Sequence, residues 1–410
     1  MKALLVPQVR DDLDVEEPSQ PQSVKATPTV TAAASVPEFS VTLLPARDAR
    51  ASHWAAIADL AARALEPNPF YEPWMLSSAL DVAVSSSDVS FVLVFKNEPS
   101  SKRSKLCGFF PVTSSTWHHG LPLRSFRLLG HMYCSLGVPL VDRDNASGVL
   151  QHFFSACRRR GAALVEFLMI PSGGPFHQAL VDVLHQQRLT SRIETRYLRA
   201  LYRVTASPAG FLTQALSGRT RKHVRRQRER LAEKGVVAFS TLEGADDPQA
   251  WLRDFLELEA RGWKGQAKTA IASSAAHLQF FTEAGTRGLE RNAMFGAALR
   301  LDGRMIAGRI SFRSSEGSYL FKIAYDEQLA AFSPGTLLEL QTIEHGLPEG
   351  VEWTDSCTAA TNKAYRSLWP QSRIIEHLVV SPGSVRGDLA IGLVPLLRWV
   401  KATRSSAPAQ

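Results

Sequence analysis

The residues with the most distinctive chemistry lie in a short loop, Ala331–Thr336, that opens a predicted helix over 335–346. The first turn of a helix has backbone N–H groups without intrahelical partners and the positive end of the helix dipole, and both attract phosphate. Gly335 has no Cβ, so a ligand can approach the backbone closely there. The alternative is an ordinary capped helix with Ser333 or Thr336 as its N-cap. The anion-binding residues predicted for this loop are Ser333, Gly335, Thr336 and Leu337.

Apolar segments on both sides of this loop predict the strands that hold it in place. Three strands precede the loop and are separated by turns that contain glycine, which is typical of an antiparallel meander. One more strand follows the helix. The predicted strands around the loop are 293–301, 305–312, 318–325 and 351–356.

This order of elements resembles the Gcn5-related N-acetyltransferases (GNAT superfamily) over residues 210–385. The resemblance implies that the loop holds the pyrophosphate of coenzyme A and that acetyl-CoA is the acyl donor. It also implies that a backbone N–H on the fourth strand, between Ile323 and Tyr325, polarises the thioester carbonyl. The loop Gln328–Thr336 lacks the second glycine of the usual family pattern.

Two further segments make the resemblance sharper. Phe255–Gly265 and Asp355–Asn362, the second followed by Leu368-Trp-Pro370, resemble the acetyltransferases grouped with the cellulose-biosynthesis protein CelD. That group is related to the Fem-type aminoacyltransferases of peptidoglycan synthesis. The resemblance implies a mixed α/β fold of tandem GNAT-like domains and a role in polysaccharide or cell-envelope biosynthesis.

Acyl transfer needs a nucleophile that loses a proton, a polarised carbonyl and a leaving thiolate that gains a proton. The resemblance implies that a tyrosine on the helix after the fifth strand protonates the thiolate, and Tyr365 lies at about that place. Asp355 ends the predicted fifth strand, where a side chain faces the cleft, so we predict that it is the catalytic base. The alternatives are a packed tyrosine and an aspartate that caps the following turn.

The segment 218–234 is strongly basic, with eight Lys or Arg residues and two Glu in a chain of net charge +8. Helical spacing places Val224 and Leu231 on its buried face. Arginine side chains match the geometry of phosphate and carboxylate, so we predict that Arg225 binds substrate. A solvated amphipathic helix is the alternative, and the segment lacks the aromatic residues typical of proteins that bind single-stranded nucleic acid.

Trp263 and Lys264 follow the predicted helix 248–261 and form a second candidate substrate site. Trp263 could stack on a sugar or an adenine ring, and packing in the core is the alternative for this side chain. Lys264 lies next to Gly265, and we predict that it reaches a phosphate of the substrate.

Composition limits the remaining classes of protein. The four cysteines have no CxxC spacing and the eleven histidines are scattered along the sequence, so we predict no metal site. No apolar segment approaches the ~20 residues that span a bilayer. The apolar stretch at the start of the chain is too short for a signal peptide. We therefore expect a cytoplasmic protein without a transmembrane segment.

The order of apolar segments predicts four parts of the chain. They are a disordered, proline-spaced tail (1–38), an N-terminal GNAT-like domain (39–205), a C-terminal GNAT acetyltransferase domain (206–385), and a C-terminal helix and tail (386–410). Strands are also predicted at 39–44, 89–95, 105–116, 125–129, 162–170, 193–204, 236–241 and 373–380. Helices are predicted at 48–65, 73–81, 146–160, 174–187, 208–216, 218–234, 248–261, 274–288, 335–346 and 361–367.

The function predicted from these observations is transfer of an acetyl or other acyl group from acyl-CoA to an amine or hydroxyl. The acceptor is a small molecule or a saccharide. Two alternatives stay open. A Fem-like aminoacyltransferase would use aminoacyl-tRNA, and under that alternative alone we expect a nucleic acid as partner. A non-catalytic accessory protein that kept the fold is favoured by the missing second glycine.

Overall fold

The computed structural model describes residues 38–82, 89–97, 104–204, 210, 216–358, 365 and 368–393. The predicted N-terminal tail therefore lies outside the described residues except for Glu38. The predicted helices 208–216 and 361–367 lie mostly outside as well, and so do residues 394–410 of the predicted C-terminal part.

The strands of the described residues belong to one sheet of thirteen strands. They are β1 (Phe39–Pro45), β2 (Val89–Asn97), β3 (Ser104–Ser115), β4 (Ser125–Leu128), β5 (Leu140–Val141), β6 (Leu164–Pro171), β7 (Ser191–Arg203), β8 (Val237–Thr241), β9 (Met294–Leu301), β10 (Arg304–Ser314), β11 (Gly317–Tyr325), β12 (Trp353–Asp355) and β13 (Gln371–Val380). All predicted strands are confirmed to within two residues at each end. The two-residue β5 is too short to be recognised from an apolar pattern.

The helices of the described residues before the C-terminal segment also lie close to the predicted positions, except for the four-residue helix at 263–266, which was not predicted. They are α1 (Ala46–Ala62), α2 (Pro73–Val82), α3 (Ala146–Arg159), α4 (Pro175–Gln186), α5 (Gly218–Ala232), α6 (Pro248–Arg261), α7 (Trp263–Gln266), α8 (Ala275–Glu290) and α9 (Pro334–His345). Side-chain caps fix several of the starts. The carboxylate of Asp247, for example, accepts hydrogen bonds from the N–H groups of Gln249 and Ala250 at the start of α6.

The order of strands in the sheet is symmetric about its centre. Neighbouring strands pair in the order β1-β2-β3-β4-β6-β13-β7-β12-β11-β10-β9-β8, and β5 pairs with β3 outside this path. The pairs β4–β6 and β11–β12 are parallel and the others are antiparallel. Each half of the chain thus places one parallel pair at the equivalent position.

Each half also gives its last strand to the sheet of the other half. β7, from the first half, pairs with β12, and β13, from the second half, pairs with β6. The two exchanged strands pair with each other from Gln371↔Leu201 to Val380↔Ser191. The halves are therefore joined through the centre of the sheet, and the proposed domain boundary at 205/206 stays a prediction.

Separate apolar cores cover the two faces of the second half. On one face α6, α8 and α2 bury Phe255, Phe280 and Trp74. On the other face α5 and α9 bury Leu231 and Leu338 against the strands. Because strands β9, β10 and β11 are packed on both sides, the first turn of α9 is held in a fixed position beside the end of β11.

The C-terminal segment packs on the first half. Residues 385–393 are helical, and Ala390 and Ile391 contact a small core with Leu164 and Val379. The helix predicted at the start of the C-terminal part is therefore present in residues 385–393. None of the helices in the described ranges is both long and apolar enough to cross a membrane.

Candidate active site

The parallel strands β11 and β12 pair over a short distance and then separate. Their register ends at Tyr319↔Asp355. Beyond this pair β11 bulges against β10 at Phe321, since Ile310 pairs with Lys322 and Ser311 with Leu320. The last part of β11 therefore has a free edge on the side of β12, where no strand of the described residues pairs with it.

A cavity of about 350 Å³ lies between the end of β11 and the first turn of α9. A Cβ placed on Gly335 would lie 3.5 Å from the ring of Tyr325, so this glycine leaves the space between the helix and the strand open. Six residues predicted from the sequence line the cavity: Ile323, Tyr325, Ser333, Gly335, Thr336 and Tyr365. The other lining residues are Ala330, Pro334, Glu339 and Leu368.

The first turn of α9 offers two backbone donors to a ligand. Ser333 precedes the helix in the left-handed region (φ 53°), and Pro334 has no N–H. The N–H of Leu337 donates to the Ser333 carbonyl at 3.1 Å. The N–H groups of Gly335 and Thr336 are therefore the ones that remain for an anion.

Leu337, which was predicted to bind the anion, does not line this cavity but borders a smaller one next to it. Its N–H is used inside the helix, and its side chain is buried with Leu338 and Phe332 in the core beneath α9. A leucine at this point of an amphipathic helix faces the core because the helical repeat turns it away from the helix start.

A second cavity, of about 200 Å³, adjoins the first and shares Ser333, Thr336 and Leu368 with it. Its far wall is the first turn of α5, where Ser217 accepts a hydrogen bond from the N–H of Thr220. The N-termini of α5 and α9 thus border adjoining cavities. The positive ends of both helix dipoles favour an anion there.

The free edge of β11 presents backbone groups of alternate residues. Lys264 Nζ donates to the Ile323 carbonyl at 2.7 Å, which shows that the amide groups of Ile323 point outward. The N–H of Asp326 instead donates to Ile306 on β10. Successive residues of a strand alternate in this direction, so the outward N–H groups are those of Ile323 and Tyr325.

A buried carboxylate, Glu339, faces the cavity from the second turn of α9. Its Oε2 accepts a hydrogen bond from Arg309 Nη1 at 2.8 Å, and its Oε1 accepts one from the Tyr365 hydroxyl at 3.3 Å. Burial raises the pKa of Glu339, and this effect outweighs the attraction of Arg309. Burial and the neighbouring Glu339 hold the pKa of Tyr365 well above its usual value, so the phenol stays protonated.

Glu339 and Arg309 are not among the site residues predicted from the sequence. The signal was present, because Glu339 is the one charged residue in the segment Leu337-Leu-Glu-Leu340, and it lies on a helix face that must be buried. A charged side chain on a buried face needs a charged partner. That rule could have pointed to an arginine on the neighbouring strand.

Asp355 does not border the cavity, which contradicts the prediction. The carboxylate is fully buried (0% exposed) on the opposite face of the sheet, paired with Arg373 and Arg199. Burial alone would raise its pKa, but the two arginines and the N–H of Cys357 lower the pKa below its usual value. The N–H of Cys357 donates to Asp355 Oδ1 at 2.6 Å, so Asp355 caps the turn after β12, as in the alternative interpretation.

Lys264 lies at the edge of β11 but does not extend towards the anion site. Its Nζ bonds to the Ile323 carbonyl and lies 3.2 Å from Glu259 Oε1. Glu259 is buried and also accepts a hydrogen bond from the N–H of Ile271. The predicted phosphate contact is therefore replaced by a contact that fixes α7 against the strand.

Trp263 is 55% exposed, so the interpretation as a core residue was wrong. Its backbone N–H donates to Glu327 Oε1 at 2.7 Å. The residue borders a cavity of about 240 Å³ that also contains Lys264, Tyr325 and Glu259. This cavity meets the first one at the free edge of β11, where Tyr325 and Ile323 line both, and it lies on the α6 side of the sheet, opposite α9.

Arg225 points to solvent on α5, away from the cavities. It lies 3.5 Å from Glu229 in an exposed pair of the i, i+4 type. The predicted buried face is confirmed, since Leu231 is buried and Val224 is half-buried, with Gln227 between them. Substrate contact by Arg225 stays a prediction.

Comparison with known proteins agrees with this geometry. Residues 218–366 match the family model described as "Acetyltransferase (GNAT) domain". No curated protein matches the chain. The assignment to the CelD-type group within this superfamily stays a prediction.

Solved structures show where else this fold occurs. A conserved protein of unknown function from Bacteroides thetaiotaomicron is 12% identical, with 80% of this chain and 97% of that chain covered at a TM-score of 0.51. FemX is 10% identical over 80% of this chain and 95% of that chain, with a TM-score of 0.50. A tandem GNAT protein from the clavulanic acid biosynthesis pathway is 15% identical, with 85% of this chain and 99% of that chain covered at a TM-score of 0.40. The predicted mixed α/β fold is thus confirmed, with two similar halves, and the segment that matches the acetyltransferase (GNAT) domain lies in the second half.

Proposed function

We propose that this protein transfers an acyl group from acyl-CoA to an amine or hydroxyl. The observation that carries the proposal is the cavity between the free edge of β11 and the first turn of α9, next to the N-terminus of α5. The phosphates of the donor would bind the N–H groups of Gly335 and Thr336. The acyl end of the donor would lie along β11, since β11 and the first turn of α9 border the same cavity.

The residues around the cavity supply two of the three requirements of acyl transfer. The outward N–H of Ile323 or Tyr325 would donate to the thioester carbonyl and stabilise the oxyanion that forms there. Tyr365, kept protonated in the cavity, would give its proton to the leaving thiolate. Glu339 accepts the hydrogen bond of that hydroxyl and so fixes its position, and water that enters after the thiol leaves would return the proton to Tyr365.

The acceptor would enter from the cavity of about 240 Å³ on the other side of the β11 edge. Trp263 offers an exposed ring that could stack on a sugar, and Glu327 offers a carboxylate in the same cavity. An amine or hydroxyl bound there would approach the carbonyl from the side opposite α9. We propose that Glu327 takes the proton of this nucleophile, in place of the buried Asp355.

The decisive experiment is calorimetric titration of the purified full chain with acetyl-CoA. Gly335→Asp should abolish binding while the protein stays folded, because the new carboxylate would repel the donor phosphates. Gly392→Asp is the matched control, since a Cβ at Gly392 meets no atom within 4 Å and adds the same charge elsewhere. Unchanged acetyl-CoA affinity in a folded Gly335→Asp protein would rule out the proposed donor site.

An aminoacyl-tRNA-dependent transferase is the second candidate, and the exposed arginines of α5 favour it. Arg225 and Arg226 are both exposed to solvent on this helix. If they bind tRNA, the double change to alanine should weaken tRNA binding and reduce its dependence on salt. Acetyl-CoA binding with no tRNA binding would decide for the first candidate.

A further inference from the structure

A group of metal-binding side chains lies in the first half, outside the candidate active site. His118 and His119 belong to the connection between β3 and β4, and Glu194 belongs to the exchanged strand β7. One nitrogen of each imidazole and a carboxylate oxygen of Glu194 all lie within 4.8 Å of one another. The histidines are scattered in the sequence, and the fold brings these two to an acid from a distant strand.

We infer that His118, His119 and Glu194 form a binding site for a divalent transition-metal ion of the Zn²⁺ type. Two imidazoles and one carboxylate are ligands that zinc accepts, whereas Mg²⁺ and Ca²⁺ prefer oxygen alone. In a tetrahedral zinc site with bonds of 2.0–2.1 Å, ligand atoms are about 3.3 Å apart. The observed spacing therefore needs only a small inward movement of side chains.

The backbone of the turn holds the two histidines in place. His118 and Leu121 pair across a two-residue turn formed by His119 and Gly120. Both turn residues have positive φ, 48° for His119 and 83° for Gly120. A left-handed histidine is uncommon, and such positions concentrate at functional sites. The turn places the His119 Nε2 atom 3.1 Å from Glu194 Oε1.

A second carboxylate orients His118. Its Nδ1 lies 3.3 Å from Glu166 Oε1, and Arg127 Nη2 lies 2.6 Å from Glu166 Oε2. The Glu166 carboxylate, paired with Arg127, accepts a hydrogen bond from the Nδ1–H of His118. This leaves Nε2 of His118 with a lone pair. A carboxylate behind a histidine ligand is the usual support of a metal site.

The exposure of the three side chains suits a metal site with one open coordination position. His118 is buried, Glu194 is half-buried and His119 is exposed. Three protein ligands with one exposed side leave the fourth position of a tetrahedral ion to water or to a further ligand. Bound metal would also tie the β3–β4 connection to β7, a strand that the first half exchanges with the second.

The test uses the full chain without a histidine tag, after treatment with a chelator. Calorimetric titration with Zn²⁺ should show one ion bound per chain. His119→Asn keeps a residue that tolerates the left-handed turn, and Glu194→Gln keeps the side-chain shape; each should weaken Zn²⁺ binding by at least about tenfold. His185→Asn, an exposed histidine at the end of α4, is the matched control and should bind as the parent does.

Three results would overturn the inference: no Zn²⁺ bound by the parent chain, equal binding by the parent, His119→Asn and Glu194→Gln, or equal loss in His185→Asn. Circular dichroism of each variant shows whether it is folded. If His119→Asn fails to fold, Glu194→Gln decides alone, because Glu194 lies on a strand and does not depend on the turn.

Discussion

The two halves share an architecture but differ in what occupies the space beside the first long helix after the fourth strand. In the second half, a Cβ on Gly335 would meet only the ring of Tyr325 within 4 Å, and a cavity opens between them. In the first half, a Cβ on Gly148 in the first turn of α3 would lie 2.8 Å from the ring of Phe39. The ring of Phe39 on β1 thus packs on the start of α3, whereas the start of α9 borders a cavity.

Neither of the two helix starts has a hydrogen bond from a side-chain cap. Asn145 precedes α3, and its side chain is held by Lys96 and Asp142 at 2.8 Å each. Ser333 precedes α9 without a side-chain cap. The first N–H groups of both helices are therefore without a side-chain cap, and the halves differ in the space beside the helix start. We interpret the first half as a support for a donor site in the second.

Tyr365→Phe should have the largest effect on turnover if the reaction takes place at the cavity of the second half. Loss of a general acid usually costs about 10²–10⁴-fold, and donor affinity should stay the same. The measurement is steady-state turnover together with calorimetry of acetyl-CoA binding. A rate near that of the parent would mean that Tyr365 only packs against Glu339 and Trp369.

Asp355→Asn should have the largest effect on stability and not on chemistry. Removing one partner of a buried ion pair costs about 3–5 kcal/mol, because Arg199 and Arg373 lose their counter-charge. The folded pKa of Asp355 is below the unfolded one, so its contribution is present above the unfolded pKa and lost as pH falls through the folded pKa. Urea denaturation of parent and variant between pH 7 and acid pH measures both effects.

Glu166→Gln is the matched change in the first half, since Glu166 also ends the register of a parallel pair, at Arg127↔Glu166. Its partner Arg127 is half exposed, so solvent screens the pair and the loss of stability should be smaller. A larger loss than for Asp355→Asn would contradict the expectation that the more deeply buried ion pair contributes more to stability.

Gly148→Asp should have the smallest of these effects, and it tests whether the first half takes part in binding the donor. The added side chain would press on the ring of Phe39, and overpacking of this kind costs about 1–3 kcal/mol. Acetyl-CoA binding should be unchanged in the folded variant. Loss of binding with the fold intact would show that the first half takes part in donor recognition.

The amino-acid pattern predicts the elements well because periodicity is a local property. Every predicted strand appears, and α9 begins at Pro334, where the loop residues predict it. The exchange of β7 and β13 could not be predicted, since both are ordinary strands and nothing local states which neighbour each one pairs with.

Asp355 shows why the position of a single side chain is harder to predict from the sequence than a strand or helix. Side chains of a strand alternate between faces, so a shift of one position decides between the cavity and the opposite face. The sequence places Asp355 at the end of β12 but does not show that it shares a face with Arg199 and Arg373. The positions of Gly335 and Tyr365 were easier to predict, because a glycine at a helix start and a family motif do not depend on strand register.

The exchanged strands also have a consequence for the order in which the chain acquires its structure during synthesis. β6 ends at Pro171 and its partner β13 begins at Gln371, about 200 residues later. Until that strand emerges from the ribosome, the edge of β6 has unpaired backbone groups that can recruit other chains. The first half cannot complete its sheet before the second is nearly finished, so the nascent protein matures as one unit, with a slow final pairing step.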